Sequence, residues 1–184
     1  DTDFGDLGLR TVVGPCDDFN VGDAVLDSQG RILIATQNCT DFKVYRFLDD
    51  GDLDFSFGGT GVVSIAFDLG ASNEDHAQKI VVTEDDGFVV AGVADAVGGA
   101  HLALARYTAA GEPVAEFGTN GKLDIGFEWQ VSQASGLSGL HRMADGRIVV
   151  AGQISESDQA VSDKKQFVVR LLAQGAFDPS FGNV

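Results

Sequence analysis

Positive charge is what this sequence has least of. Its 12 Lys and Arg stand against 28 Asp and Glu, a formal net charge of −16. A surface of that sign repels phosphate backbones and anionic headgroups, which argues against a nucleic-acid partner. Long apolar runs are also lacking. The run "RIVVAG" at 147–152 is strand-sized, far short of the ~20 residues a membrane helix needs, so membrane insertion is not expected. Proline is scarce, and helical periodicity is not visible anywhere along the chain. The chain opens on Asp1, without a methionine or a leader sequence. The expectation is a chain that has lost a leader or is a piece of something longer.

Catalytic signatures are missing as well. "SGLSG" (135–139) is not a GxSxG elbow, because its second glycine follows Ser138 directly. "GGTG" (58–61) lacks the lysine of a phosphate loop. His76, His101 and His141 show no ligand spacing such as HExxH, so no zinc site is expected. Carboxylates at alternate positions in "DDGDLD" (49–54) suggest calcium, yet the corresponding "AAGEPV" and "AQGAFD" have lost them. The turn reading is preferred; no cofactor is expected, and loosely held surface calcium is the most that is left. Acids abound but no pair stands out, which leaves a glycosidase-like hydrolase as the remaining catalytic alternative.

Glycine and phenylalanine are plentiful, 24 and 13 of the 184 residues. With many Val and Ile, they describe short strands joined by tight turns. The same phrases recur. Phe-Gly pairs stand at Phe4-Gly5, Phe57-Gly58, Phe117-Gly118 and Phe181-Gly182. Between them come "DSQGRILIAT", "EDDGFVVAG" and "MADGRIVVAG", each followed by "FKVYRF", "LALARY" or "FVVRLL". Self-similarity at this period marks a repeat architecture. Three units follow, 1–58, 59–118 and 119–184, in one continuous repeat domain. Each reads as about four antiparallel strands, in the middle unit roughly Val62–Phe67, Lys79–Thr83, Phe88–Ala94 and His101–Tyr107. That is the pattern of a β-propeller blade, so the fold class is all-β, of propeller type, with three blades.

The spacing separates constant parts from variable ones. Arg46 to Phe57, Arg106 to Phe117 and Arg170 to Phe181 keep one interval, whereas other segments lengthen from unit to unit. Because strands alternate in direction, the constant turns share one rim. The variable segments, roughly 14–20, 37–41, 68–76, 94–100, 126–138 and 155–165, gather on the other, where a binding surface is expected. In "GFEWQ" (126–130) Phe127 and Trp129 stand at alternate positions and are the candidate binding face for a sugar or protein. Cys16 and Cys39 flank the first hairpin at the same rim. They are expected to form a disulfide, which would suit an oxidising compartment.

The sequence of turn, "DGR-I-V-V-A-G", arginine and then "G-x-x-D-x-x-F-G" resembles the bacterial delta-60 repeat, in three units over essentially the whole chain. The resemblance implies β-propeller blades in secreted or surface proteins of unknown function, and it assigns no catalytic residue. Two departures stand out: "PVAEFG" lacks the aspartate found at Asp54 and Asp178, and Phe88 takes the place of Arg31 and Arg147. Phe57, Phe117 and Phe181 are expected to plug equivalent gaps between blades. Arg46, Arg106 and Arg170 are expected to find a carboxylate or carbonyl, as a half-buried guanidinium must. Closed propellers have 4–8 blades. Three would need a second copy, giving a homo-oligomer, or the remainder of a longer propeller. The functional expectation is a non-catalytic, secreted or cell-surface module acting by self-assembly or protein–protein contact, with a carbohydrate-binding propeller as the alternative.

Overall fold

A computed structural model of the chain describes residues 3–12, 19–38, 40–72, 74–126, 136–155 and 164–182. Among them are eleven strands in three antiparallel sheets and no helix. The first sheet orders β1 (Phe19–Leu26), β2 (Ile32–Asn38), β3 (Asp41–Phe47) and β4 (Val62–Ile65) side by side. The second repeats this with β5 (His76–Val82), β6 (Phe88–Ala96), β7 (Gly99–Tyr107) and β8 (Lys122–Ile125). The third holds β9 (Gly136–Arg142), β10 (Ile148–Ser155) and β11 (Lys164–Leu171). These are propeller blades in all-β form.

The middle strands explain the uninterrupted apolar runs. Along β6, Phe88 and Val90 enter the core shared with the first sheet, while Val89 and Ala91 enter the core shared with the third. Side chains alternate across a strand, so a sheet covered on both faces needs apolar residues at every position. Burying a side chain of this size stabilises by roughly 1.5–3 kcal/mol. The two cores together therefore bind the sheets into one stack.

Sheet and sequence unit are offset by one strand. The stretch beginning at Val62 pairs back onto β3, with Val44 opposite Val63, and does not join β5. Glycines turn the chain there: Gly58, Gly59 and Gly61 all take positive φ, which costs a residue with a side chain about 1–2 kcal/mol. The Arg46 N–H then bonds the Gly61 carbonyl at 3.0 Å and fixes the return.

The first strands of successive sheets lie closest together. Each carries a register shift at the same place, between Val21 and Asp23 in β1 and between Ala77 and Lys79 in β5; opposite β9 it falls between Ala151 and Gly152. A bulge re-aims the extra residue. Gln78, at the β5 bulge, reaches out of its own sheet to accept the Leu137 N–H at 2.6 Å. At Gly22, in the β1 bulge, an added Cβ would lie 2.4 Å from the Ala77 carbonyl oxygen, so only glycine lets β1 and β5 come this close.

The hairpin turns correct one alignment. Gly30 bonds the Asp27 carbonyl, Gly146 bonds that of Met143, and the residue that bonds Thr83 in the same way is Asp86, with φ 57°. Phe88 therefore does not replace Arg31 and Arg147. It stands in register with Ile32 and Ile148, and Gly87 holds the arginine place. A Cβ at Gly87 would lie 2.5 Å from the Tyr107 carbonyl oxygen, so no arginine fits there. Asp86 tolerates the left-handed turn as a short polar residue, and its carboxylate accepts the Ser28 N–H and hydroxyl, at 2.9 and 2.7 Å, from the matching turn of the first sheet.

Candidate functional site

The constant rim is built around an arginine at the end of the third strand of each sheet. Arg46, on β3, is 2% exposed. Its Nε donates to Asp54 Oδ2 at 2.8 Å and its second amino group to Ser56 Oγ at 3.2 Å. The remaining amino group crosses to the second sheet and donates to the Ala109 carbonyl. Its guanidinium carbon sits 4.5 Å above the centre of the Phe57 ring, a cation–π contact. Arg31 lies 3.7 Å from the same Asp54 oxygen and pairs with Asp27 at 2.6 Å. Burial pushes the Asp54 carboxyl up, but the Ser56 hydroxyl and N–H and the Arg46 charge outweigh it and hold it below its ordinary value. Burial, followed by the Arg31 charge, eases Arg46 below its own ordinary value.

The third sheet repeats the motif with one partner missing. Arg170 Nε donates to Asp178 Oδ2 at 2.7 Å, its amino group meets Ser180 Oγ at 2.9 Å, and Phe181 lies 4.7 Å beneath the guanidinium carbon. The Ser180 hydroxyl and N–H, then Arg147 and Arg170, hold Asp178 well below the usual carboxylate range. In the second sheet the motif is reduced. Arg106 is half-buried and donates to the Ala173 carbonyl at 2.9 Å, but Val114 occupies the Asp54 place. Among the described residues Arg106 has no ion pair.

The Phe-Gly pairs tie units together through their glycine N–H groups. The N–H groups of Gly5, Gly58 and Gly118 donate to the carbonyls of Asp50, Ala110 and Gln174, at 2.8, 2.9 and 3.1 Å. Every acceptor lies in the turn after the third strand of the next sheet. Phe57 and Phe117 are 0% exposed, whereas Phe181 is 37% exposed. The six repeat positions thus fall at one structural place, and what differs among them is how much surrounds each one.

The opposite rim carries the described parts of the variable segments, among them 40–41, 68–72, 74–76 and 94–100, as strand direction requires. Phe127 and Trp129, and likewise Cys16 and Cys39, lie outside the described residues. Polar contacts are described there beside the exposed Val97. Lys43 Nζ donates to Ser64 Oγ at 2.6 Å, and the Ser64 hydroxyl donates to Asp41 Oδ2 at 2.8 Å. His101 Nδ1 meets Asp124 at 3.0 Å. Asp75 is 1% exposed and accepts the Phe67 N–H at 2.8 Å, and the Asp95 N–H also favours its charged form. Burial raises its carboxyl above the ordinary value, and the charges of Asp41 and Asp68 add to that. Among the described residues no group of three or more His, Cys, Asp or Glu is placed to hold a metal ion.

Sequence reasoning missed Asp75, Gln78 and Asp86, and also Arg142, whose guanidinium pairs with Glu84 of the second sheet at 3.2 Å. Asp86 was within reach, since aligning the strand residues "VVAG" in place of the turn glycines puts it opposite Gly30 and Gly146. The other three carry no local signal, because each matters through a neighbour on another sheet.

No curated protein matches this sequence. A family model described as a domain of unknown function (DUF5122) beta-propeller matches residues 144–181. That stretch runs from the β9–β10 turn through Arg147, Arg170 and Asp178 to Phe181. That match is consistent with the β-propeller repeat of unknown function that the delta-60 resemblance implied.

Proposed function

We propose that this chain is a non-catalytic β-propeller module, secreted or exposed at a cell surface, that works by docking blade against blade. One observation carries the reading: Phe181 is 37% exposed while its equivalents Phe57 and Phe117 are fully buried. It already has its arginine above it, so what it lacks is the next sheet. A further blade would cover Phe181 and offer a turn carbonyl to the Gly182 N–H, as Asp50, Ala110 and Gln174 do for the earlier glycines. At the other end, Phe4 and Gly5 lie on the Asp50 turn as the tail of a preceding unit would.

The docking blade belongs to a second copy, two chains making six blades, or to adjoining repeats of a longer chain. Light scattering on the purified chain tests the first. A mass of two chains, falling to one in Phe181→Asp, is the expected result; a well-behaved monomer at high concentration removes self-assembly. The oxidising compartment rests on the Cys16–Cys39 pair, and an intact-mass shift only after reduction and alkylation would support it.

A further inference from the structure

The face of the first sheet that turns away from the second already holds a Phe-Gly pair. The Gly5 N–H donates to the Asp50 carbonyl at 2.8 Å. An added Cβ at Gly51 would meet the Phe4 ring at 3.2 Å and the Gly5 nitrogen at 3.3 Å. Inside the stack Phe117 and Gly118 take the same seat on the third sheet, where a Cβ at Gly175 would meet them at 3.2 and 3.4 Å. The likeness continues along the segment. The Gly8 N–H bonds the Phe4 carbonyl at 2.8 Å, as the Gly61 N–H bonds that of Phe57. Arg10 and Val12 therefore stand where β4 has Val63 and Ile65.

This occupant fits its seat poorly. Val63 and Ile65 are buried in one core with Phe88, Val90 and Tyr107 of the second sheet. On the matching face of the first sheet, Arg10 and Val12 leave a cavity of about 170 Å³ against Val21, Ile34, Tyr45 and Phe47. A void forfeits the contacts its lining would otherwise make. Phe4 is half-buried, where Phe57 and Phe117 are fully buried.

The third sheet carries a fuller version of the same plug. Arg170 stands 4.7 Å over the Phe181 ring. Register sets Val168 opposite Ala151, as Val44 is opposite Ala35 and Leu104 opposite Ala91. Val44 and Leu104 are fully buried in the cores shared with the next sheet, whereas Val168 is 54% exposed. Arg46 and Arg106 each reach a carbonyl of the next turn, at Ala109 and Ala173; on the first sheet the corresponding carbonyl belongs to Asp49. Two plugs of this chain thus fit one receptor, and the one that brings its arginine is left partly in water.

We propose that the turn at 48–52 and the adjoining face of the first sheet receive the third sheet of a second copy, with Phe181 and Gly182 replacing Phe4 and Gly5 on the Asp50 carbonyl. The occupant is a second copy because its third sheet presents the contact that this chain already makes twice within itself. Phe4 and Gly5 act as a tethered placeholder, which lowers the apparent affinity by the fraction of time the receptor is covered. The contact is head-to-tail, and it rests on the docking reading above.

Sedimentation equilibrium on the full chain tests it, because two equivalent phenylalanines acquire opposite effects. Phe181→Asp removes the plug and is expected to leave a monomer. Phe4→Asp uncovers the receptor and is expected to tighten association about tenfold. Gly5→Pro removes the N–H that bonds Asp50 and should act in the same direction. Tightening in either variant supports the exchange. Its absence from both, with Phe181→Asp monomeric and the wild type associating, would overturn the exchange and leave docking through Phe181 standing. No association in wild type and variants alike, or undiminished association in Phe181→Asp, would overturn both.

Discussion

Arg46 donates to Asp54 at 2.8 Å inside the first junction with both side chains almost sealed from water. The pair holds its own sheet's closing turn, and the same guanidinium reaches the next sheet through the Ala109 carbonyl. One charged group thus fastens a blade to itself and to its neighbour.

Removing the acid tests that arrangement. Asp54→Ala leaves Arg46 buried without its counter-charge and is expected to cost about 3 kcal/mol in urea unfolding. Asp178→Ala is expected to cost less, because Arg170 and Arg147 are reached by water. Equal losses would mean that the first junction is not the more buried of the two in solution.

Two glycines separate close approach from turn geometry. At Gly22 a side chain would strike the Ala77 backbone across the sheets, whereas at Gly30, with φ 80°, it would meet nothing within 4 Å. Gly30→Ala is expected to cost about 1 kcal/mol in conformational strain. Gly22→Ala should cost about 3 kcal/mol, because backbone cannot swing aside as a side chain does. Chemical denaturation of both variants decides it, and a milder Gly22→Ala would show that β1 and β5 are less tightly apposed.

The phenylalanines make a graded series. Phe57→Ala and Phe117→Ala remove fully buried rings and are expected to cost about 3–5 kcal/mol. Phe181→Ala in the isolated chain should cost well under half of that, since its ring is partly in water already. A large loss at Phe181 appearing only as protein concentration rises would indicate burial by another blade.

Asp75 predicts a pH dependence whose sign is opposite to that of the junction acids. Its folded carboxyl is raised by burial, so its contribution is complete below the ordinary carboxylate range and is lost as pH rises through the raised value. Asp54 and Asp178 are held below their ordinary values, so their contribution is present at neutral pH and is lost on acidification. Asp75→Asn should therefore unfold at higher urea than the wild type at pH 7, with the gap closing toward pH 4. A gap independent of pH would remove Asp75 as its cause.

Local chemistry already determines the blade. Turn residues, runs of Val and Ile, and the repeated Phe-Gly at the end of each unit all act within a few residues of chain, so the strands, the two rims and the places of Arg46, Arg106 and Arg170 can be read from the sequence. Pairing and neighbourhood are different in kind. That Val62–Ile65 closes the first sheet, that Asp86 takes a turn glycine's place and that Asp75 is sealed from water all depend on residues far away in the chain. Hydrogen-bond register and burial belong to two segments at once, and only the folded stack brings those segments together.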